Sequence, residues 1–71
     1  MPQFSRFQNG GYVLHKIKIG GKGHYSAWFT AGGILTDCEH FVNGKVRSVS
    51  RNATSVRADL QIVGNRYKHA A

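Results

Sequence analysis

The chain has 71 residues, of which 41% are hydrophobic, so it has room for one small domain and too much apolar content for a disordered tail. Ten Lys and Arg residues against three Asp and Glu residues give a formal net charge of +7, which favours polyanionic partners. No apolar run approaches the roughly 18–20 residues of a membrane span, no signal-peptide pattern opens the chain, and a single cysteine cannot form an internal disulfide, so we expect a cytoplasmic protein without membrane contact.

The amino-terminal residues 1–11 show neither strand nor helix periodicity and end in the turn signal Asn9-Gly10-Gly11. We predict an arm there that contacts the body of the domain through Phe4 and Phe7. Residues 12–19 alternate in the manner of a strand. Its predicted core face carries Val13, His15, Ile17 and Ile19. Its predicted outer face carries Tyr12, Leu14, Lys16 and Lys18.

Further strands are predicted beyond the glycine-rich hairpin loop at residues 20–23. Residues 24–30 are rich in aromatic side chains, which favours a strand, and Trp28 lies on its outer face. Residues 34–42 form the next strand, with Cys38 and His40 on its core face. The Asn-Gly turn that follows is a strong hairpin signal, and residues 45–49 can add a short fourth strand.

The last third of the chain fits a helix better than a strand. Apolar residues recur seven times at intervals of three and four between Val46 and Tyr67, whereas strand alternation accounts for only four residues between 56 and 62. Asn52 can act as the N-cap, and Gly64 suits the position just past the C-terminus. We therefore predict a helix over residues 52–63 and a basic tail over residues 64–71, with a strand as the alternative.

Together these elements predict a single α+β domain over residues 1–71, in which one C-terminal helix packs on one face of a small antiparallel sheet of three or four strands. The predicted core consists of ten apolar side chains, namely Val13, Ile17, Ile19, Tyr25, Ala27, Phe29, Val49, Val56, Leu60 and Val63.

A core of this size rarely stabilises a domain by more than about 3–5 kcal/mol, which favours a partner subunit. No Lys or Arg lies between Ala31 and Gly44, so the strand at 34–42 is the part of the chain least repelled by a second copy. We expect it to form a sheet edge and the seam of a homodimer.

The basic excess indicates nucleic-acid binding, because Lys and Arg side chains that contact phosphates release condensed counterions. An exposed ring flanked by cations can stack on a base, so we predict that Trp28 or Tyr12 stacks if the ligand is single-stranded. DNA is slightly preferred over RNA, although no residue in the sequence distinguishes a 2′-hydroxyl. The predicted phosphate contacts are Lys16, Lys18, Lys22, Arg47, Arg51 and Arg57.

No group of residues predicts catalysis or a bound cofactor. Cys38 and His40 face the same way on a strand, but a structural zinc site needs four ligands, and the other histidines lack a paired spacing. Asp37 and Glu39 raise the pKa of a neighbouring thiol instead of activating it. Only Asp59 remains as a further carboxylate, too few for a metal-dependent nuclease site. We expect a non-catalytic protein without metal or cofactor.

A protein-interaction module is the alternative function. A small basic domain can act as an inhibitor that covers an acidic protein surface, through its basic face or through a sheet edge. Retention of one protein after nuclease treatment, insensitive to added DNA, discriminates this function from nucleic-acid binding.

Overall fold

Short turns fold the first two thirds of the chain into an antiparallel meander, and one helix follows. The computed structural model describes residues 1–70; Ala71, the last residue of the predicted basic tail, lies outside the described residues. The elements are β1 (Gln3–Arg6), β2 (Tyr12–Ile17), β3 (His24–Phe29), β4 (Leu35–Val42), β5 (Lys45–Ser48) and α1 (Thr54–Asn65). Each strand pairs with the next one along the chain. The α+β class is confirmed, although the sheet has five strands instead of three or four.

The predicted arm contributes the additional strand. β1 pairs with β2 so that Phe4 lies opposite Leu14 and Arg6 lies opposite Tyr12. The Phe4 ring packs against the rings of Tyr12 and Tyr67, each at a centroid distance of 5.8 Å. Four residues are too few to show alternation, so the sequence does not predict this strand. The pairing with β2 and the ring contacts of Phe4 stabilise β1 instead.

Arg6 holds the segment at residues 68–70 against the sheet. Its guanidinium donates hydrogen bonds to the carbonyl oxygens of Gly10 at 2.8 Å, Lys68 at 3.3 Å and Ala70 at 2.7 Å. The predicted basic tail is therefore anchored to β1, and its first two residues belong to α1.

A β-bulge in β2 reverses the side-chain alternation. Lys16 has a φ of 61°, and the pairing with β3 shifts between Leu14 and Ile17. As a result Tyr12, Leu14 and Ile17 all belong to the core and are at most 1% exposed. The prediction that Tyr12 and Leu14 lie on the outer face was wrong, because it assumed strict alternation and took no account of a residue inserted by a bulge.

The core lies between α1 and the sheet. Its buried members are Tyr12, Leu14, Ile17, Ala27, Phe29, Cys38 and Leu60. Partly buried hydrophobic residues pack around them, namely Phe4, Ile19, Tyr25, Leu35, Val49, Val56, Val63 and Tyr67. Every predicted core residue except Val13 belongs to this cluster; Val13 is buried on the other face, opposite Trp28.

The helix is confirmed over the strand alternative, but α1 begins and ends two residues later than predicted. Ala53 occupies the N-cap position instead of Asn52, and no side chain caps the helix. Gly64 lies inside the last turn, where its backbone packs against the Phe29 ring. Glycine is therefore required at this position for packing against Phe29, and not for ending the helix. Over residues 1–70, no helix is both long enough and apolar enough to cross a membrane.

β4 lies inside the sheet. β3 pairs along one side of it, and β5 pairs with its second half, Glu39–Val42, on the other side. β1 and β5 form the sheet edges, so the predicted edge position of residues 34–42 was wrong. Strict alternation would place Ile34 on the same face as Cys38, but Ile34 is 65% exposed, because a register shift brings Leu35 opposite Phe29.

Candidate nucleic-acid interface

Five of the six predicted phosphate-contacting cations separate into two groups in the fold. Lys16, Lys18 and Lys22 lie at the end of β2 and in the loop that follows. Arg51 and Arg57 follow the opposite end of the sheet, where β5 leads into α1. Arg47 lies on the edge strand β5, opposite His40 of β4. The two groups differ in the charges around them.

Four lysines gather at one end of the sheet, because an antiparallel meander brings the ends of alternate strands together. Lys16 and Lys18 lie where β2 ends, Lys22 lies just before β3, and Lys45 begins β5. All four side chains are exposed. This set of four residues is termed the lysine end.

A groove of about 520 Å³ lies between the end of β2 and the C-terminal half of α1. Lys16, Lys18 and Arg66 supply its cations, and Ile17 and Val63 supply apolar surface. Met1, Pro2 and Tyr67 complete the lining, and no carboxylate is among these described residues. The bulge in β2 shapes this basic groove, because it buries Ile17 and leaves the lysine on either side exposed.

A larger cleft of about 740 Å³ carries charges of both signs. Arg51 and Arg57 line it together with Asp37 and Glu39. Arg57 is half-buried and donates a hydrogen bond from Nη1 to the Cys38 Sγ atom at 3.3 Å. Because the carboxylates offset the arginines, a phosphate gains less from this mixed cleft than from the basic groove.

Tyr12 belongs to the core. It has no exposed surface, and its hydroxyl donates a hydrogen bond to the Gly64 carbonyl at 2.9 Å. Burial raises the pKa of the Tyr12 phenol, and the charge of Arg6 opposes this effect to a smaller extent. The ring offers no free face to a base, so the stacking expected of Tyr12 was wrong.

Trp28 lies on the sheet face away from the core, as predicted, and is half-exposed. Its ring meets His15 edge-on at a centroid distance of 5.9 Å, and His15 Nδ1 is hydrogen-bonded to Ser26 Oγ at 2.8 Å. Asp37 lies directly opposite Trp28 in the register. A carboxylate therefore flanks this ring, where the sequence predicted lysines.

Cys38 and His40 lie on one face of β4, but each has another partner. His40 stacks on Tyr25 at a centroid distance of 4.3 Å, and its Nε2 donates to the Lys22 carbonyl at 2.9 Å. Burial raises the pKa of the Cys38 thiol, the Arg57 charge opposes this to a smaller extent, and Asp37 adds a lesser rise. Within residues 1–70, no three His, Cys, Asp or Glu side chains come together to hold a metal ion.

Sequence reasoning missed two features of this surface. Arg66 reaches the basic groove because α1 continues through Gly64, where the sequence predicted an end. The rings of His24 and Phe41 are stacked, with centroids 5.0 Å apart and planes 24° from parallel. Both residues lie on the predicted outer faces of their strands, which is the signal that could have identified the pair.

No family model matches the chain, and no curated protein or solved structure matches it at a significant level.

Proposed function

We propose that this protein binds nucleic acid without strong sequence preference, as a non-catalytic protein that contacts mainly the phosphate backbone. The observation that carries the proposal is the basic groove. Three exposed cations converge on it, and none of the described residues that line it is a carboxylate. Lys and Arg contacts to phosphates release condensed counterions, so such a surface attracts any nucleic acid.

The lysine end extends the basic groove along the sheet. Two of its lysines line the groove, and the other two continue along the same end of the sheet toward the edge strand β5. Arg47 lies two residues beyond, on that edge strand. A phosphate backbone on this path meets five cations of the groove and the lysine end, namely Lys16, Lys18, Lys22, Lys45 and Arg66.

Arg51 and Arg57 contribute less to phosphate binding in this proposal, because the carboxylates of Asp37 and Glu39 line the same cleft. Lysine ammonium groups act as point charges and carry little information about the base, which supports tolerance of sequence. DNA stays slightly preferred over RNA, with no side chain assigned to a 2′-hydroxyl. A cytoplasmic location completes the proposal and rests on the single cysteine of the chain.

Fluorescence-anisotropy titrations of labelled single- and double-stranded oligonucleotides at several salt concentrations test the proposal. With about five phosphate contacts, the logarithm of the binding constant falls against the logarithm of salt with a slope of roughly −4 to −5 on duplex. Absence of binding at low salt, despite a net charge of +7, would contradict nucleic-acid binding. Binding that resists high salt and depends on sequence would contradict the backbone mode.

A pull-down from nuclease-treated lysate distinguishes nucleic-acid binding from the alternative function, a protein-interaction module. An interaction module for an acidic protein surface retains one protein, and added DNA leaves that retention unchanged. A nucleic-acid-binding protein retains no such partner once the nucleic acid is digested.

A further inference from the structure

The face of the sheet turned away from α1 carries an exposed aromatic and apolar patch. His24, Phe41 and Val46 lie opposite one another in the register across β3, β4 and β5. The first two rings are stacked, and Phe41 and Val46 are 38% and 56% exposed. These three residues are termed the ring patch.

Three cations lie near the ring patch along the chain. Lys22 lies in the loop that leads into β3, and Lys45 and Arg47 flank Val46 on the edge strand β5. All three cations are exposed. Because alternate residues of a strand face opposite sides, Lys45 and Arg47 lie on the face opposite Val46, so their charge acts on the ring patch from across the sheet edge and not from over the rings. Stacking surfaces beside positive charge are the arrangement with which proteins bind single strands.

The other large ring on this face has different surroundings. Trp28 lies directly opposite Asp37, whereas Glu39 lies opposite Ser26, midway between Trp28 and His24. A phosphate chain over Trp28 meets both carboxylates, whereas one over the ring patch meets Glu39 alone and lies nearer the cations of the lysine end. Phe41 is therefore better placed than Trp28 to hold a base of a polyanion.

We infer that the ring patch is a stacking platform for the unpaired bases of a single-stranded nucleic acid whose phosphates lie on the lysine end. The inference rests on the proposed function and adds to it the strandedness of the ligand and the residue that holds the base. A duplex uses the cations but not the platform, because its base faces are covered within its own stack.

The test compares Phe41→Leu with Phe7→Leu in anisotropy titrations against oligothymidylate and against a duplex of the same length. Leucine keeps most of the apolar volume and removes the ring. Phe7 is the matched control, because it is 43% exposed and lines the mixed cleft. Loss of one stacked base weakens single-strand binding by the Phe41 variant between about 5-fold and about 150-fold. Its duplex affinity and both affinities of the Phe7 variant stay at the wild-type value.

Three outcomes overturn the platform and leave the proposed function standing. The first is a Phe41 variant with wild-type affinity for the single strand. The second is an equal loss on single strand and duplex. The third is a wild-type dimer in sedimentation that Phe41→Leu converts to a monomer, which would show a second copy on the ring patch. If the wild type binds neither oligonucleotide at low salt, the proposed function fails first, and the platform fails with it.

Discussion

The Tyr12 hydroxyl donates a hydrogen bond to the Gly64 carbonyl at 2.9 Å, which joins the start of β2 to the last turn of α1. Beside this bond the Gly64 backbone lies against the Phe29 ring, and the rings of Tyr12 and Phe29 are stacked 4.9 Å apart. Arg66 follows two residues later and lines the basic groove. The core and the groove therefore depend on the same contact between helix and sheet.

Gly64→Ala is expected to destabilise the fold by about 1–3 kcal/mol, the range for overpacking a filled core. An added Cβ would overlap the Phe29 ring. At an exposed helix position the same change stabilises by up to about 1 kcal/mol, because alanine is the better helix former, so the two effects have opposite signs. Thermal unfolding followed by circular dichroism measures the sum. Ile62→Ala, at a position 54% exposed, is the control, and a Gly64→Ala variant as stable as wild type would contradict the packing.

Tyr12→Phe removes the hydroxyl and keeps the ring. We expect a loss of about 1 kcal/mol in the free energy of unfolding, typical of one neutral hydrogen bond. The Gly64 carbonyl also accepts a bond from the Tyr67 backbone N–H at 3.0 Å, so it keeps a partner in the variant. Urea unfolding provides the measurement. A loss beyond about 3 kcal/mol would show that the hydroxyl does more than close this one bond.

Lys16→Gly separates stability from binding. A φ of 61° costs a non-glycine residue about 1 kcal/mol, so glycine relieves strain at the bulge, partly offset by the greater freedom of the unfolded chain. We expect unchanged or slightly higher stability. The same change removes a cation from the basic groove, so the salt slope of binding flattens by about one. A variant that unfolds more readily than wild type would show that Lys16 stabilises β2 in some other way.

The elements predicted best from the sequence are those whose periodicity persists over their whole length. Alternation identified β3, with Ala27 and Phe29 on the core face, and the stripe at intervals of three and four identified α1. The alternation in β2 was predicted incorrectly at Lys16, because one inserted residue moves every later side chain to the other face. The bulge could not be recognised in the sequence, since lysine is not typical of a positive φ. β1 is too short for any period to show.

The candidate interface was predictable only as a set of cations. Lys16 and Lys18 were predicted to lie at the surface, and both are exposed. Which cations share a groove is a tertiary property. Arg66 joins them because α1 continues through Gly64, and Arg51 is set apart because β4 brings carboxylates into the same cleft.

Alkaline pH is expected to destabilise the fold through two buried groups. Burial raises the pKa of the Cys38 thiol above its ordinary 9.0 and that of the Tyr12 phenol above its ordinary 10.0. These groups ionise first in the unfolded chain, which then binds fewer protons than the folded one. The free energy of unfolding therefore decreases as the pH rises from the ordinary values through the higher folded values.

Cys38→Ala removes one of these groups and checks the effect. Between neutral pH and a pH of about 10, its free energy of unfolding should fall less than that of wild type, each measured by urea unfolding against its own neutral value. The same pH dependence in both proteins would show that the folded chain does not shield the Cys38 thiol.

Phosphate binding at a defined surface, and not through net charge alone, is the central claim. The most direct measurement is the salt dependence of duplex binding by the double variant Lys16→Gln/Lys18→Gln and by Lys68→Glu, which both lower the net charge by two, from +7 to +5. Lys68 is exposed and lies outside the basic groove. We predict that the slope falls by about two for the double variant and stays near the wild-type value for Lys68→Glu. Equal flattening in both variants would show that binding follows net charge and would contradict the assignment of the groove.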